Sequence, residues 1–102
     1  MANQFRFHPK ANSEFRDSVK WHKQNREDSG KEFANDAFSK IDEILKKPES
    51  RSQDEDGIRW IGLSKFPYHI FYIFKAPIVW ILAIWHTSQK KDKWRDRKID
   101  IE

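Results

Sequence analysis

His86 is the residue of this chain whose position most favours a chemical role. It follows the apolar run 78–85 and stands just before a stretch rich in Lys and Arg. An imidazole can donate or accept a proton near neutral pH, and functional side chains collect where strands give way to loops. A structural interpretation is equally open: a histidine here can cap the hydrophobic layer through a hydrogen bond. The residue types nearby indicate which chemistry the first interpretation would involve.

Those residue types are the ones that cleave RNA without a metal. The reaction needs a base for the 2′-hydroxyl, an acid for the leaving oxygen and cations for the phosphorane. The catalytic candidates are Arg59, Tyr68, His86, Lys90 and Lys91. Cations beside an aromatic ring also suit single-stranded nucleic acid, and the candidates for target binding are Lys65, Lys93, Trp94, Arg95 and Arg97. Tyr68 and Trp94 fit a place in the core or over it as well.

Cofactor and metal chemistry find little support in the composition. The chain has no Cys, three Gly and four His. The histidines lack paired ligand spacing and the glycines lack phosphate-loop spacing. We expect no metal, no cofactor and no disulfide, and we expect His22 to be packed against the core. The start of the chain lacks a secretory apolar region, and no apolar run reaches the roughly 20 residues of a membrane span, so we expect a cytoplasmic protein.

The net charge of +4 is local. Residues 89–98, the basic window, carry six Lys and Arg against two Asp, which accounts for the whole excess. A local basic patch favours an anionic partner, whereas the alternative is an ordinary solvated helix face.

The elements that must position these residues follow from periodicity and punctuation. The predicted elements are a strand at 4–8 ended by Pro9, a helix from about 11 to 25, a helix from the capping box Ser29–Glu32 to Pro48, strands at 58–64, 66–74 and 78–85, and a short basic helix from an Asp92 cap through about 98. Residues 49–57 and 87–91 are predicted loops, and 99–102 a loose tail. The order β-α-α-β-β-β predicts one α+β domain over residues 1–102, with an N-terminal strand and a helix hairpin packed on one face of a small antiparallel sheet.

Both faces of the hairpin 66–85 are apolar. Strict alternation would place Val79 and Ile81 on one face of the last strand, opposite Ile84 and His86. A sheet with one wet face would alternate apolar and polar residues, and this one does not. The helices can cover one face, so we expect a partner on the other.

Several segments resemble the RelE/ParE toxin superfamily, the plasmid stabilisation proteins. They are Ile58-Arg59, Phe66-Pro67-Tyr68, the run 81–86 and Trp94-Arg95-Asp96-Arg97, in that order. The resemblance spans residues 5–97. It implies the growth-inhibiting toxin of a type II toxin–antitoxin pair, neutralised by a cognate antitoxin. Such toxins act on DNA gyrase, as ParE does, or cleave mRNA on the ribosome, as RelE does.

Two positions depart from the RelE-like ending His-x-x-Arg-x-Pro-x-x-Trp. Gln89 stands where that pattern has Arg, and Lys91 where it has Pro. Gln offers neither a permanent charge nor a planar fork for phosphate. We therefore favour ParE-like gyrase inhibition, with RelE-like cleavage as the alternative and a non-catalytic nucleic-acid-binding or inactive relic domain as the second alternative. We expect the antitoxin to place apolar side chains on sheet or helix surface and acidic ones near the basic window.

Overall fold

The computed structural model describes residues 3–89 and 93–101, and its elements follow the predicted order. The elements are β1 (Gln4–Phe7), α1 (Pro9–Asn25), α2 (Ser29–Lys46), β2 (Arg59–Gly62), β3 (Tyr68–Lys75), β4 (Ile78–His86) and a C-terminal 3-10 helix (Arg95–Ile101). Within the described residues, no helix is long and apolar enough to cross a bilayer.

The sheet is mixed, with strand order β1-β4-β3-β2. Strands β2, β3 and β4 pair antiparallel, whereas β1 pairs parallel to β4 with Gln4 opposite Ile78. The α+β class and the element order are confirmed, and only the orientation of β1 differs from the predicted antiparallel sheet. The reason is topological: β1 returns to its neighbour through two helices and two strands, a connection long enough for a parallel crossover.

The start of α1 and the capping of α2 differ from the predicted ones, whereas α2 begins at Ser29 as predicted. Helix α1 begins at Pro9, whose missing N–H costs nothing at the first helical position. The imidazole Nδ1 of His8 caps that helix by accepting the Lys10 N–H at 3.1 Å. The predicted Ser29–Glu32 capping box was wrong: no side-chain cap bond forms at the start of α2, and the Glu32 carboxylate instead accepts a hydrogen bond from Arg26.

The main core lies between the helix hairpin and one face of the sheet. Tyr68, Ile70 and Tyr72 alternate along β3 and face the helices. They pack with buried residues of both helices, which include Phe15, Phe33, Ala37, Ile41 and Ile44.

A β-bulge in β4 changes which residues in the second half of this strand face the helices. Tyr72 pairs with Ile81 but Phe71 pairs with Ala83, so Leu82 is the extra residue. Such a bulge shifts the in–out alternation by one position. The predicted assignment of Ile84 was therefore wrong, because Ile84 packs in the helix-side core together with Val79 and Ile81. The same shift brings His86 beside Tyr68, which faces that core.

The second face of the sheet is covered by the C-terminal segment of the chain itself. Trp94 is fully buried and stacks on Phe71, with ring centroids 4.0 Å apart and planes 24° apart. Ile101 packs against the same cluster, so residues 99–101 belong to an ordered 3-10 helix and not to a loose tail. The expectation of an open second face was therefore wrong around Phe71. The predicted Asp92 cap lies outside the described residues.

Candidate functional site

A cleft of about 490 Å³ opens between α1 and the end of β4. Four of its lining residues come from α1, one from β3, and the rest from the end of β4 and the turn that follows. They are Glu14, Asp17, Ser18, Trp21, Tyr68, Ile84, Trp85, His86, Ser88 and Gln89. Two of the predicted catalytic candidates, Tyr68 and His86, therefore share this cleft.

Tyr68 and His86 of the cleft lining form a cluster with the buried His22, which does not itself line the cleft. The Nε2 atom of His22 lies 3.2 Å from the Tyr68 hydroxyl, and the Tyr68 ring meets the His86 ring edge to face at 5.0 Å. Burial lowers the pKa of His22, and the nearby His86 lowers it further. Burial also raises the pKa of Tyr68, against a hydrogen bond from Ser18 that lowers it. At neutral pH, Tyr68 is therefore a protonated phenol beside a neutral, packed His22, as predicted for His22.

His86 is tied to the turn that follows it. Its Nδ1 accepts the Ser88 N–H at 3.0 Å and lies 2.7 Å from the Ser88 hydroxyl. A neutral imidazole has one acceptor nitrogen, so these contacts favour the tautomer with its proton on Nε2. In that tautomer His86 offers a donor and keeps no free lone pair for a general base. This arrangement matches the structural interpretation of His86, in which a hydrogen bond holds the ring at the end of the strand.

Arg59 lies away from His86. It pairs across the ladder with Tyr72, and His86 pairs with Tyr68. These two positions on β3 are about 13 Å apart at the usual rise of ~3.3 Å per residue. The Arg59 guanidinium donates hydrogen bonds to the carbonyls of Glu49 and Arg51, which hold the loop before β2. The structure therefore does not bring this catalytic candidate to the cleft.

Two cations of the basic window are paired within the chain. Buried Arg97 donates to both oxygens of Glu14, at 2.7 and 2.5 Å, and to the Leu82 carbonyl at 2.9 Å. Arg95 contacts the carboxylates of Asp54 and Asp56, both at 3.1 Å. Their geometry does not support the assignment of Arg95 and Arg97 as target-binding residues, because carboxylates of the chain itself already hold both guanidinium groups.

Trp94 cannot stack on a base in this structure, because its ring is buried against Phe71. Lys93 and Lys65 are exposed. The backbone N–H of Lys65 is fixed by the carboxylate of Asp36 at 2.7 Å. The catalytic candidates Lys90 and Lys91 lie outside the described residues.

The described lining of the cleft is acidic. Glu14 and Asp17 contribute carboxylates, and none of the described lining residues is Lys or Arg. In the described parts of the chain, no group of three or more His, Asp and Glu side chains could hold a metal ion. Sequence reasoning missed the acidic wall because it followed only the apolar stripe of α1. The signal was present: Glu14, Asp17 and Trp21 share one helix face at spacings of three and seven.

A helix hairpin on a four-stranded sheet, followed by a short C-terminal helix, is the architecture that the RelE/ParE resemblance implied. The family model described as "ParE toxin of type II toxin-antitoxin system, parDE" matches residues 5–91. The chain belongs to this family and is a toxin of the type II toxin–antitoxin class. A comparison with curated proteins found no match.

Proposed function

We propose that this toxin arrests growth by binding a protein target, DNA gyrase, in the cytoplasm, and that a cognate antitoxin neutralises it. The observation that carries the choice of mechanism is that two of the candidate cations are held away from a phosphate. The catalytic candidate Arg59 anchors the loop before β2, opposite the middle of β3, and the target-binding candidate Arg97 is paired with Glu14. The described part of the cleft offers no cation to a phosphate.

Electrostatics supports the same choice. A phosphorane gains most of its stabilisation from fixed cations and donors aimed at its developing charge. Here the carboxylate of Asp17 lies on the cleft wall, where it would repel a phosphate. Gln89 lines the cleft at the position of the RelE-like Arg and supplies only an uncharged amide. A protein that inhibits by binding needs none of these catalytic groups.

The antitoxin remains the partner that this family implies. The expectation that its acidic side chains approach the basic window now applies to fewer cations, since Arg95 and Arg97 have internal partners. We propose that its apolar side chains cover exposed rings on the helix hairpin, where Trp21 and Phe38 are 57% and 45% exposed. Such a segment would fold as it binds.

The test is controlled expression of the chain in a bacterial host, alone and together with the adjacent open reading frame. We expect growth arrest and trapped DNA breaks with the toxin alone, and normal growth when both proteins are made. Intact mRNA in arrested cells would support the gyrase mechanism. Cleaved mRNA without DNA breaks would show RelE-like activity instead, and harmless expression of folded protein would indicate a relic domain.

A further inference from the structure

The chain already shows how this part of the fold holds a guanidinium group. Both oxygens of Glu14 accept hydrogen bonds from Arg97, whose guanidinium carbon lies 5.9 Å from the centre of the Trp85 ring. A carboxylate beside an indole can pair with the charge of an Arg side chain while the indole contacts the flat face of the guanidinium. This internal site lies at one end of the cleft wall formed by α1.

The same pair of residue types recurs one helical turn further along α1. Asp17 follows Glu14 by three residues and Trp21 follows Asp17 by four, so all three share one face of the helix. Both Asp17 and Trp21 line the cleft. Asp17 is exposed and forms no hydrogen bond or ion pair within the described chain, and Trp21 is 57% exposed. The second carboxylate–indole pair therefore lacks the guanidinium that the first one holds.

The cations nearest in sequence, Arg16 and Lys20, line a neighbouring groove that also includes Asp17 and Ser13. Neither cation is among the residues that line the cleft, and neither forms an ion pair with Asp17 in the described structure. An anionic ligand would meet the carboxylate of Asp17 in the cleft, which disfavours RNA there, whereas the charge of Glu14 is offset by Arg97.

We propose that the cleft receives an Arg side chain from the antitoxin, which pairs with Asp17 and stacks on Trp21; this placement rests on the proposed function. Arg fits better than Lys because its planar fork matches a carboxylate while its face lies on an indole. Interface hot spots are also enriched in Trp and form where side chains become fully desolvated in the complex. The anchor of the antitoxin would thus be basic, although the toxin as a whole carries a charge of +4.

The first test uses the peptide acetyl-Ala-Arg-Ala-amide, followed through the indole N–H signal of Trp21 in ¹⁵N-labelled protein. The Trp21→Phe variant assigns that signal. We expect saturable binding with a dissociation constant of roughly 1–10 mM, weakened about 2- to 5-fold by Asp17→Asn. The same peptide with citrulline in place of Arg should bind at least about 3-fold more weakly, because it has no charge. Equal shifts with both peptides, or none with either, would overturn the proposal.

Two matched variants control for general effects. Glu55→Gln removes an exposed carboxylate elsewhere, and Trp60→Ala removes a ring with a similar exposure of 50%. Neither should change peptide binding.

The second test measures the affinity of the toxin for the protein encoded by the adjacent reading frame. Trp21→Ala should weaken that complex by about 30-fold, as removal of a hot-spot residue does, whereas Trp60→Ala should not. A change below about 2-fold for both Trp21→Ala and Asp17→Arg would overturn the proposal, even if peptide binds. Absence of growth arrest by the unmodified chain would instead refute the proposed function, and the peptide titration would still report on the cleft.

Discussion

Replacing Trp94 by Ala tests whether the C-terminal segment seals the second face of the sheet. The Trp94 ring is fully buried and stacks on Phe71 at 4.0 Å. An aromatic side chain buries about 150–250 Å², worth roughly 4–6 kcal/mol at ~25 cal/mol per Å². Measured Trp→Ala and Phe→Ala changes in cores cost about 3–5 kcal/mol. We therefore expect Trp94→Ala to lower the free energy of unfolding by about 3–5 kcal/mol, a large share of the stability of a domain.

The assay is urea denaturation followed by circular dichroism, with the slope and midpoint fitted for each variant. Trp60→Ala is the matched control, because that ring is half exposed at the edge strand β2 and should cost less than about 1 kcal/mol. Equal small costs for the two variants would contradict a sealing role for Trp94. They would mean that residues 94–101 do not hold the second face closed, and that this face is open to a partner after all.

Three further predictions concern the polar contacts. Glu14→Ala leaves Arg97 buried without its carboxylate and should lower the free energy of unfolding by about 2–3 kcal/mol in urea denaturation. This is less than the cost for a fully buried pair, because the Glu14 side chain is 36% exposed. A cost below about 0.5 kcal/mol would contradict the pairing. Burial holds the pKa of His22 below 6.5, so the unfolded chain binds its proton first and stability should fall as the pH drops from 6.5 through the lowered pKa. His22→Gln should flatten that part of the pH–stability curve, and an unchanged slope would refute the assignment. Gln89→Arg should not create ribosome-dependent mRNA cleavage, because Arg59 remains opposite Tyr72, about 13 Å along β3 from the partner of His86. Strong cleavage by the purified variant would show that a Lys outside the described residues completes a RelE-like site.

The fold was largely predictable from the sequence because its signals are local. Helix periodicity, the stop at Pro48 and the short turn at Ala76 and Pro77 gave the element order that the structure confirms. The bulge at Leu82 could not be predicted in the same way. All residues from 78 to 85 are apolar, so a shift of one position does not change the pattern of apolar residues.

The candidate site was predicted in part. Tyr68 and His86 were both candidates from the sequence, and both lie in the cleft. Their pairing was not predictable, because an uninterrupted hairpin would pair Tyr68 with Trp85 and only the bulge at Leu82 pairs it with His86. The internal pairing of Arg97 with Glu14 joins residues 83 positions apart, and that of Arg95 with Asp54 joins residues 41 apart. Charge counting along the sequence assigns such cations to a partner, because only the folded chain shows which carboxylates they meet.

The most direct test of the proposed mechanism is a cleavage assay with purified gyrase, supercoiled plasmid and the purified toxin. We expect linear DNA to accumulate with increasing toxin after protein denaturation, and ribosome-bound mRNA to stay intact with the same toxin. Unchanged plasmid together with cleavage of ribosome-bound mRNA would contradict the central claim that this toxin acts by binding a protein target.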